Sequence, residues 1–187
     1  MRFNSAFLLW LLPVVAAAQT NSDDRQTDLL GRGALHVGMG TALGFSGGFG
    51  TTLRLSPRLQ YFLRDGWSVA LESRLETNGR QYQFAGGGLS TRYYFIRDQR
   101  LAVFAQAGAT YGVSRFQQFY FNQFTDPFQR SIQPTWQVGL GAGVHYRLGN
   151  RWSVEGVFEH TLTRPAGFPI RYNTWQGNIG LNYRLSR

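Results

Sequence analysis

Between Trp67 and Glu76 the chain alternates in character from one residue to the next. Trp67, Val69, Leu71, Ser73 and Leu75 fall at one parity, and Ser68, Ala70, Glu72, Arg74 and Glu76 at the other. Successive side chains of an extended strand point to opposite faces, so this pattern specifies a strand with one apolar and one polar face. It recurs in Trp136, Val138, Leu140, Ala142, Val144 and Tyr146 against Gln137, Gly139, Gly141, Gly143, His145 and Arg147. Trp152, Val154, Gly156 and Phe158 oppose Ser153, Glu155, Val157 and Glu159, and Trp175, Gly177, Ile179, Leu181 and Tyr183 oppose Gln176, Asn178, Gly180, Asn182 and Arg184. In a soluble sandwich the apolar face would be the core and the charges would meet water. In a membrane barrel the apolar face meets lipid and the charges turn inward.

The connections separate these two classes. Eight strands are expected near 33–46, 50–63, 67–77, 83–96, 100–115, 133–148, 152–163 and 173–185. The turns after the second, fourth and sixth are tight: Arg64-Asp65-Gly66, Arg97-Asp98-Gln99 and Gly149-Asn150-Arg151. Longer connections follow the third, fifth and seventh, at Asn78 to Tyr82, Phe116 to Ile132 and Arg164 to Tyr172, while the first, around Gly47-Gly48, is short. Short turns at one end and longer loops at the other describe an all-β, eight-stranded antiparallel up-and-down transmembrane β-barrel. Greek-key sandwiches seldom alternate so regularly.

The start of the chain agrees with export. Arg2 precedes the apolar run Ala6 to Val15, and Ala16-Ala17-Ala18 supplies small residues for cleavage, so residues 1–18 are expected to be a signal peptide. A spanning helix needs about 20 apolar residues, and Gln19, Thr20 and Asn21 end this run too early. Residues 19–31, polar and bearing Asp23, Asp24 and Asp28, are expected to form a flexible leader, and 32–187 the barrel. The chain has no Cys, which excludes disulfides, thiolate metal sites and attachment of lipid to a cysteine. Its net charge of +9 comes from 19 arginines, without lysine, against 10 acids. Behind an export signal that excess points to lipid phosphates or to a charged interior, and no nucleic-acid partner is expected.

Register can be read outward from the tight turns. With Gly66 in the left-handed position of a three-residue loop, Leu63 falls opposite Trp67. Tyr61 then meets Val69, Leu59 meets Leu71, Arg58 meets Glu72 and Arg54 meets Glu76. The same construction at Gly149-Asn150-Arg151 sets Leu148 by Trp152 and His145 by Glu155. Aromatic residues fall in two bands on the apolar face. Tyr61, Trp67, Tyr93, Phe95, Tyr146, Trp152 and Tyr183 lie toward the tight turns, and Phe45, Tyr111, Trp136, Phe158 and Trp175 toward the loops. Amphipathic rings prefer the headgroup level, so the bands are expected about one hydrocarbon thickness, ~25 Å, apart.

The stretches Leu55-Ser56-Pro57-Arg58-Leu59-Gln60-Tyr61-Phe62, Thr91-Arg92-Tyr93-Tyr94-Phe95 and Val103-Phe104-Ala105-Gln106-Ala107-Gly108 resemble the small outer-membrane β-barrel family, as do Gly141 to Tyr146 and Trp152 to Glu155. That family is related in shape to the OmpA and OmpX transmembrane domains, and the resemblance spans essentially all of residues 19–187. It implies an eight-stranded barrel in the bacterial outer membrane with both termini periplasmic, assembled by the barrel-assembly machinery, without a shared enzyme activity. No peptidoglycan-binding domain is expected after Arg187. The chain departs from the usual closing aromatic, since Tyr183 is followed by Arg184-Leu185-Ser186-Arg187.

Four groups of side chains could carry function. Arg54, Arg58, Glu72, Arg74, Glu76, Arg92, His145, Glu155 and Glu159, with Arg147 and Arg184, are expected inside, where an eight-stranded barrel has room for a plug of side chains but not for a wide pore. Phe116, Phe119, Tyr120, Phe121, Phe124 and Phe128 interleave with amides in the longest loop. Such a tip could hold an extracellular glycan or protein; alternatively the fifth and sixth strands simply run on and pack their rings together. Arg80, Arg115, Arg130, Arg164 and Arg171 lie at the loop end, where forked guanidinium groups suit lipopolysaccharide phosphates. His160, near Glu159, Thr161 and Thr163, is the one candidate arrangement for a lipid-modifying enzyme, but strict alternation turns His160 outward and Glu159 inward. His36 is expected to be a structural donor. No cofactor, metal or catalytic residue is assigned, and a structural, non-enzymatic monomer in contact with outer-membrane lipid and lipopolysaccharide is the leading expectation.

Overall fold

The computed structural model describes residues 29–46, 50–79, 82–119, 128–166 and 171–186, with side chains assigned except at Ser46 and 116–131. Eight strands run in chain order: β1 Leu35–Ser46, β2 Gly50–Arg64, β3 Trp67–Thr77, β4 Tyr82–Arg97, β5 Leu101–Phe119, β6 Phe128–Arg147, β7 Trp152–Pro165 and β8 Tyr172–Arg184. Each pairs antiparallel with its sequence neighbour, and β1 pairs with β8 to close the barrel. Closure leaves no free strand edge around the barrel itself, while the β5–β6 extension, residues 117–119 and 128–133, pairs on one side alone.

The alternation of the sequence becomes an inside-out distribution of polarity. Arg54 is 2% exposed and Gln137 fully buried, whereas Leu140 and Ile179 are 63% and 67% exposed. A sheet that buries its charges and exposes its leucines is stable where the outer medium is apolar. The two aromatic bands stand on this outer face. Tyr146 and Trp136 lie ten residues apart on β6, or about 25 Å along the barrel axis at ~3.3 Å per residue and a tilt of ~40°.

The register differs from expectation at one turn. Arg54 pairs with Glu76, Arg58 with Glu72, Leu59 with Leu71 and Tyr61 with Val69, but Arg64, not Leu63, stands opposite Trp67. Gly66, at φ +74°, closes a tighter turn through Asp65-Gly66. The residue left over in β2 is taken up as a bulge between Phe62 and Arg64. A similar bulge lies between Tyr94 and Ile96 of β4. The β5–β6 hairpin is also longer than expected. Its backbone pairing continues from Arg115–Ile132 to Phe119–Phe128, well into the stretch 116–132 expected to be loop.

The leader also differs at its end. Leu29 and Leu30, expected to be flexible, are 1% and 0% exposed and pack with Ala34, Phe62, Tyr94, Ala102, Phe104 and Val157 inside the tight-turn end. The Leu30 carbonyl accepts from Gly66 N–H at 2.9 Å, and Gly33 N–H and the Ala34 carbonyl bond the backbone of Phe62 at 2.8 and 3.0 Å. Two leucines reach a layer lined by aromatic rings, so burial of their apolar surface stabilises the insertion. The rest of 19–28 lies outside the described residues.

Candidate functional site: the filled interior and the two rims

Along its axis the interior has three layers. At the tight-turn end the Leu29–Leu30 segment meets a cluster of rings, with Phe62 5.7 Å from Tyr94, Tyr94 5.0 Å from Phe104, and His36 5.1 Å from Phe62, measured between centroids. His36 also hydrogen-bonds the Leu29 backbone, fixing the inserted segment to β1. At the loop end Tyr82 and Phe84 are buried, with Tyr172 packed against them. Between the two apolar layers lie four buried arginines and four buried glutamates.

These eight charges form two connected groups. Glu155 takes both Arg58 and Arg92, the latter at 2.8 Å. The second group runs Glu72–Arg74–Glu159–Arg54–Glu76, with N···O separations from 2.7 to 3.3 Å. One group carries an excess positive charge and the other an excess negative charge, so the layer is neutral as a whole. Remaining carboxylate lone pairs are also used. Gln106 and Thr161 donate to Glu159 at 2.6 and 2.9 Å, Gln137 and Gln176 to Glu76 at 3.0 and 3.1 Å, Ser90 to Glu72 at 3.1 Å, and Asn182 to Glu155 at 3.1 Å. Buried ions survive only when paired and hydrogen-bonded in this way. Arg92 also lies 4.7 Å above the Phe104 ring, joining the charged layer to the aromatic one.

Strand register alone did not identify the partners. Arg58 stands opposite Glu72 in the ladder, yet its ion pair is with Glu155 across the barrel, while Glu72 takes Arg74 from its own strand. In so narrow a tube a guanidinium can reach the far wall as readily as the neighbouring strand. His145 pairs with Glu155 in register, but its ring lies edge-on to Tyr94 with centroids 5.8 Å apart and neither nitrogen has a hydrogen bond. It therefore belongs to the aromatic layer. Arg147 and Arg184 lie at the tight-turn rim, where they bond the carbonyls of Gly149 and Ser186.

The glycines of the inner face make the space these side chains occupy. A Cβ on Gly38 would strike Asn182, and one on Gly40 would lie 2.7 Å from Asn178 Oδ1. On β6 a Cβ at Gly139 would come within 2.6 Å of Glu159 Oε1, and one at Gly143 within 2.7 Å of the Phe104 ring. Long side chains on one wall thus face glycine on the next.

At the loop-end rim Arg115, Arg164 and Arg171 are exposed. Arg115 borders an outer groove of about 570 Å³ lined by Leu53, Leu75, Ala85, Val113 and Ile132. Arg164 and Arg171 border another of about 620 Å³, with Trp136, Val138, Leu162 and Pro165. Each groove is mostly apolar along the barrel wall and carries arginine at its upper end, and the first also touches Glu76, Thr77 and Gln83. The side chains of Arg80 and Arg130 lie outside the described residues, as do all six aromatic side chains of the candidate ligand loop; Phe116, Phe119 and Phe128 are placed by backbone pairing alone.

His160 is half-buried on the outer face with its ring 4.4 Å from Trp175. Thr161 and Glu159 turn inward, bonded to each other and to Arg54. The acid, imidazole and hydroxyl needed for a hydrolytic triad are thus on opposite sides of the wall. Among the described residues no group of three or more His, Asp or Glu is arranged to hold a metal ion.

No protein-family model and no curated protein sequence matches the chain. Solved structures do. The N-terminal β-barrel domain of Pseudomonas aeruginosa OprF is similar with a TM-score of 0.56 and 15% identity, over 83% of this chain and 99% of that one. Neisserial surface protein A is similar with a TM-score of 0.58 and 13% identity, over 81% and 96%. The outer membrane enzyme PagL is similar with a TM-score of 0.53 and 17% identity, over 76% and 97%. These likenesses, with the closed eight-stranded topology, show the fold of the small outer-membrane β-barrels.

Proposed function

We propose that this chain, folded as the small outer-membrane β-barrels are, resides in the bacterial outer membrane with both termini periplasmic. Its role there is structural: a non-enzymatic barrel that stabilises the membrane and binds lipopolysaccharide at its loop end. The observation that carries the reading is the pairing of an apolar wall groove with an arginine at its upper end, found twice, at Arg115 and at Arg164 with Arg171. An acyl chain fits the groove and a lipid phosphate the guanidinium fork. The neutral, filled interior supports a structural role over transport, and the separation of His160 from Glu159 supports a non-enzymatic one.

Two measurements test this. In fractionated cells, unheated gel electrophoresis should give a compact, detergent-resistant band in the outer membrane that shifts on boiling; its absence overturns the location. Lipopolysaccharide should co-purify with the protein and be released by salt, since exposed charge pairs are screened. Combined Arg115→Gln, Arg164→Gln and Arg171→Gln should cut that retention several-fold, and unchanged retention removes the lipopolysaccharide role.

A second reading is favoured by one feature. β5 and β6 have 19 and 20 residues against 11 in β3, and Phe119 pairs with Phe128 eight residues beyond the girdle position of Tyr111. The paired strands therefore project past the loop-end rim, and the aromatic and amide-rich sequence of 116–132 suits adhesion to a glycan or protein. Deletion of residues 118–129 should abolish cell or glycan binding while the heat-dependent gel shift persists. Unchanged binding would eliminate adhesion through this stretch.

A further inference from the structure

The opposite rim carries a second population of arginines that neither the interior nor the loop end uses. Arg64, Arg97, Arg100 and Arg151 are exposed on the three tight turns, with Arg32 exposed beside them. The acids described at this end are Asp65 and Asp98, and Asp65 already accepts the backbone N–H of Arg32 at 2.8 Å. Every ion pair found among the described residues lies in the interior, so none of these four arginines is in one, and the four outnumber the two acids described at this end. Like charges gathered at one end repel one another unless an external anion compensates them.

Their placement says what kind of anion. The four arginines belong to three different turns, β2–β3, β4–β5 and β6–β7, with Arg97 folded back so that its Nη1 lies against Gly66 of the β2–β3 turn. They stand immediately beyond the outward ring of Trp67, Tyr93, Phe95, Tyr146 and Trp152. One is tied to that ring directly: Arg151 Nη1 donates to Tyr183 Oη at 3.0 Å, and the Tyr183 ring lies 4.7 Å from Trp152. An aromatic belt marks the depth at which lipid headgroups begin, so the guanidiniums sit at phosphate level.

We propose that the tight-turn end is a collar for anionic phospholipid, in which phosphodiester oxygens occupy the guanidinium forks of Arg64, Arg97, Arg100 and Arg151. The collar rests on the reading above that the barrel lies in a membrane. It binds the leaflet opposite to the one gripped by Arg115, Arg164 and Arg171. A distribution over three turns suits an annulus of lipid, whereas a single extended polymer such as peptidoglycan would call for one contiguous face.

The full-length chain, refolded in non-ionic detergent, would be offered phosphatidylglycerol or phosphatidylcholine of identical acyl chains, and retained lipid counted by native mass spectrometry. Phosphatidylglycerol should be retained about fivefold more, the factor that one guanidinium near an anionic surface supplies. Arg64→Gln, Arg97→Gln, Arg100→Gln and Arg151→Gln combined should remove most of the preference. The corresponding four Arg→Lys changes should keep most of it, and Arg115→Gln, Arg164→Gln and Arg171→Gln combined should lower it far less than the four tight-turn changes do. Equal retention of both lipids by the native chain overturns the collar, as does a preference that follows the loop-end arginines instead. Loss of binding to purified peptidoglycan in the four-Gln variant, with lipid preference unchanged, would also overturn it and assign the arginines to peptidoglycan. The unheated gel run on each variant reports barrel formation separately, so loss of the membrane reading is distinguishable from loss of the collar.

Discussion

Glu155 shows what a single residue must do in this barrel. It is 2% exposed and is shared by Arg58, Arg92 and Asn182. Replacing it by Gln removes one charge and strands two, and breaking a buried pair in this way costs about 3–5 kcal/mol. Urea titration of the barrel folded into lipid vesicles should show that loss for Glu155→Gln. Adding Arg58→Met and Arg92→Met should recover part of it, because the two stranded guanidiniums are removed with their partner while the excess negative charge of the other group stays. A full loss persisting in the triple variant would mean that the charges matter for something other than mutual pairing. That Arg58 and Glu155 both face inward was legible from parity. Their pairing was not, because an alternating sequence describes neighbours in a ladder and says nothing of a contact across a lumen.

Among the elements, two of the three that diverged from expectation did so where the alternation breaks down. Phe116-Gln117-Gln118-Phe119 places aromatics three apart, which does not fit a two-residue period, yet the backbone pairs through it without interruption. Ladder hydrogen bonds in a hairpin, once begun, need no alternating face to continue. Leu29 and Leu30 were hidden for another reason. Two leucines in a polar stretch carry no periodic signal, and their burial depends on an apolar mouth assembled from β2, β4 and β5. Leu30→Ala should lower stability by about 2–5 kcal/mol, the usual range for a fully buried leucine, with little change in the heat-dependent gel shift. A near-zero effect in the same vesicle titration would show that the inserted segment contributes nothing to the barrel.

For the whole molecule, strand number, antiparallel order and the inside-out distribution of polarity followed from parity and turn spacing, the most regular signals in the chain. Parity also turned the Arg/Glu group inward. With apolar layers at both ends and charge neutralised between them, the purified protein in planar bilayers should show no large, steady openings. Such openings would contradict a filled interior.

The glycine columns carry a consequence for how this sequence can change. The interior is a vessel of fixed capacity, so bulk gained at one wall must be surrendered at the facing one, and substitutions are permitted in pairs more readily than singly. Gly40→Ala alone presses against Asn178 and should cost about 1–3 kcal/mol by overpacking. Joined to Asn178→Ala it should cost much less, as judged by urea midpoints. Homologous barrels would then exchange size between these two positions in opposite directions, a correlated drift of volume written across the β1–β8 seam.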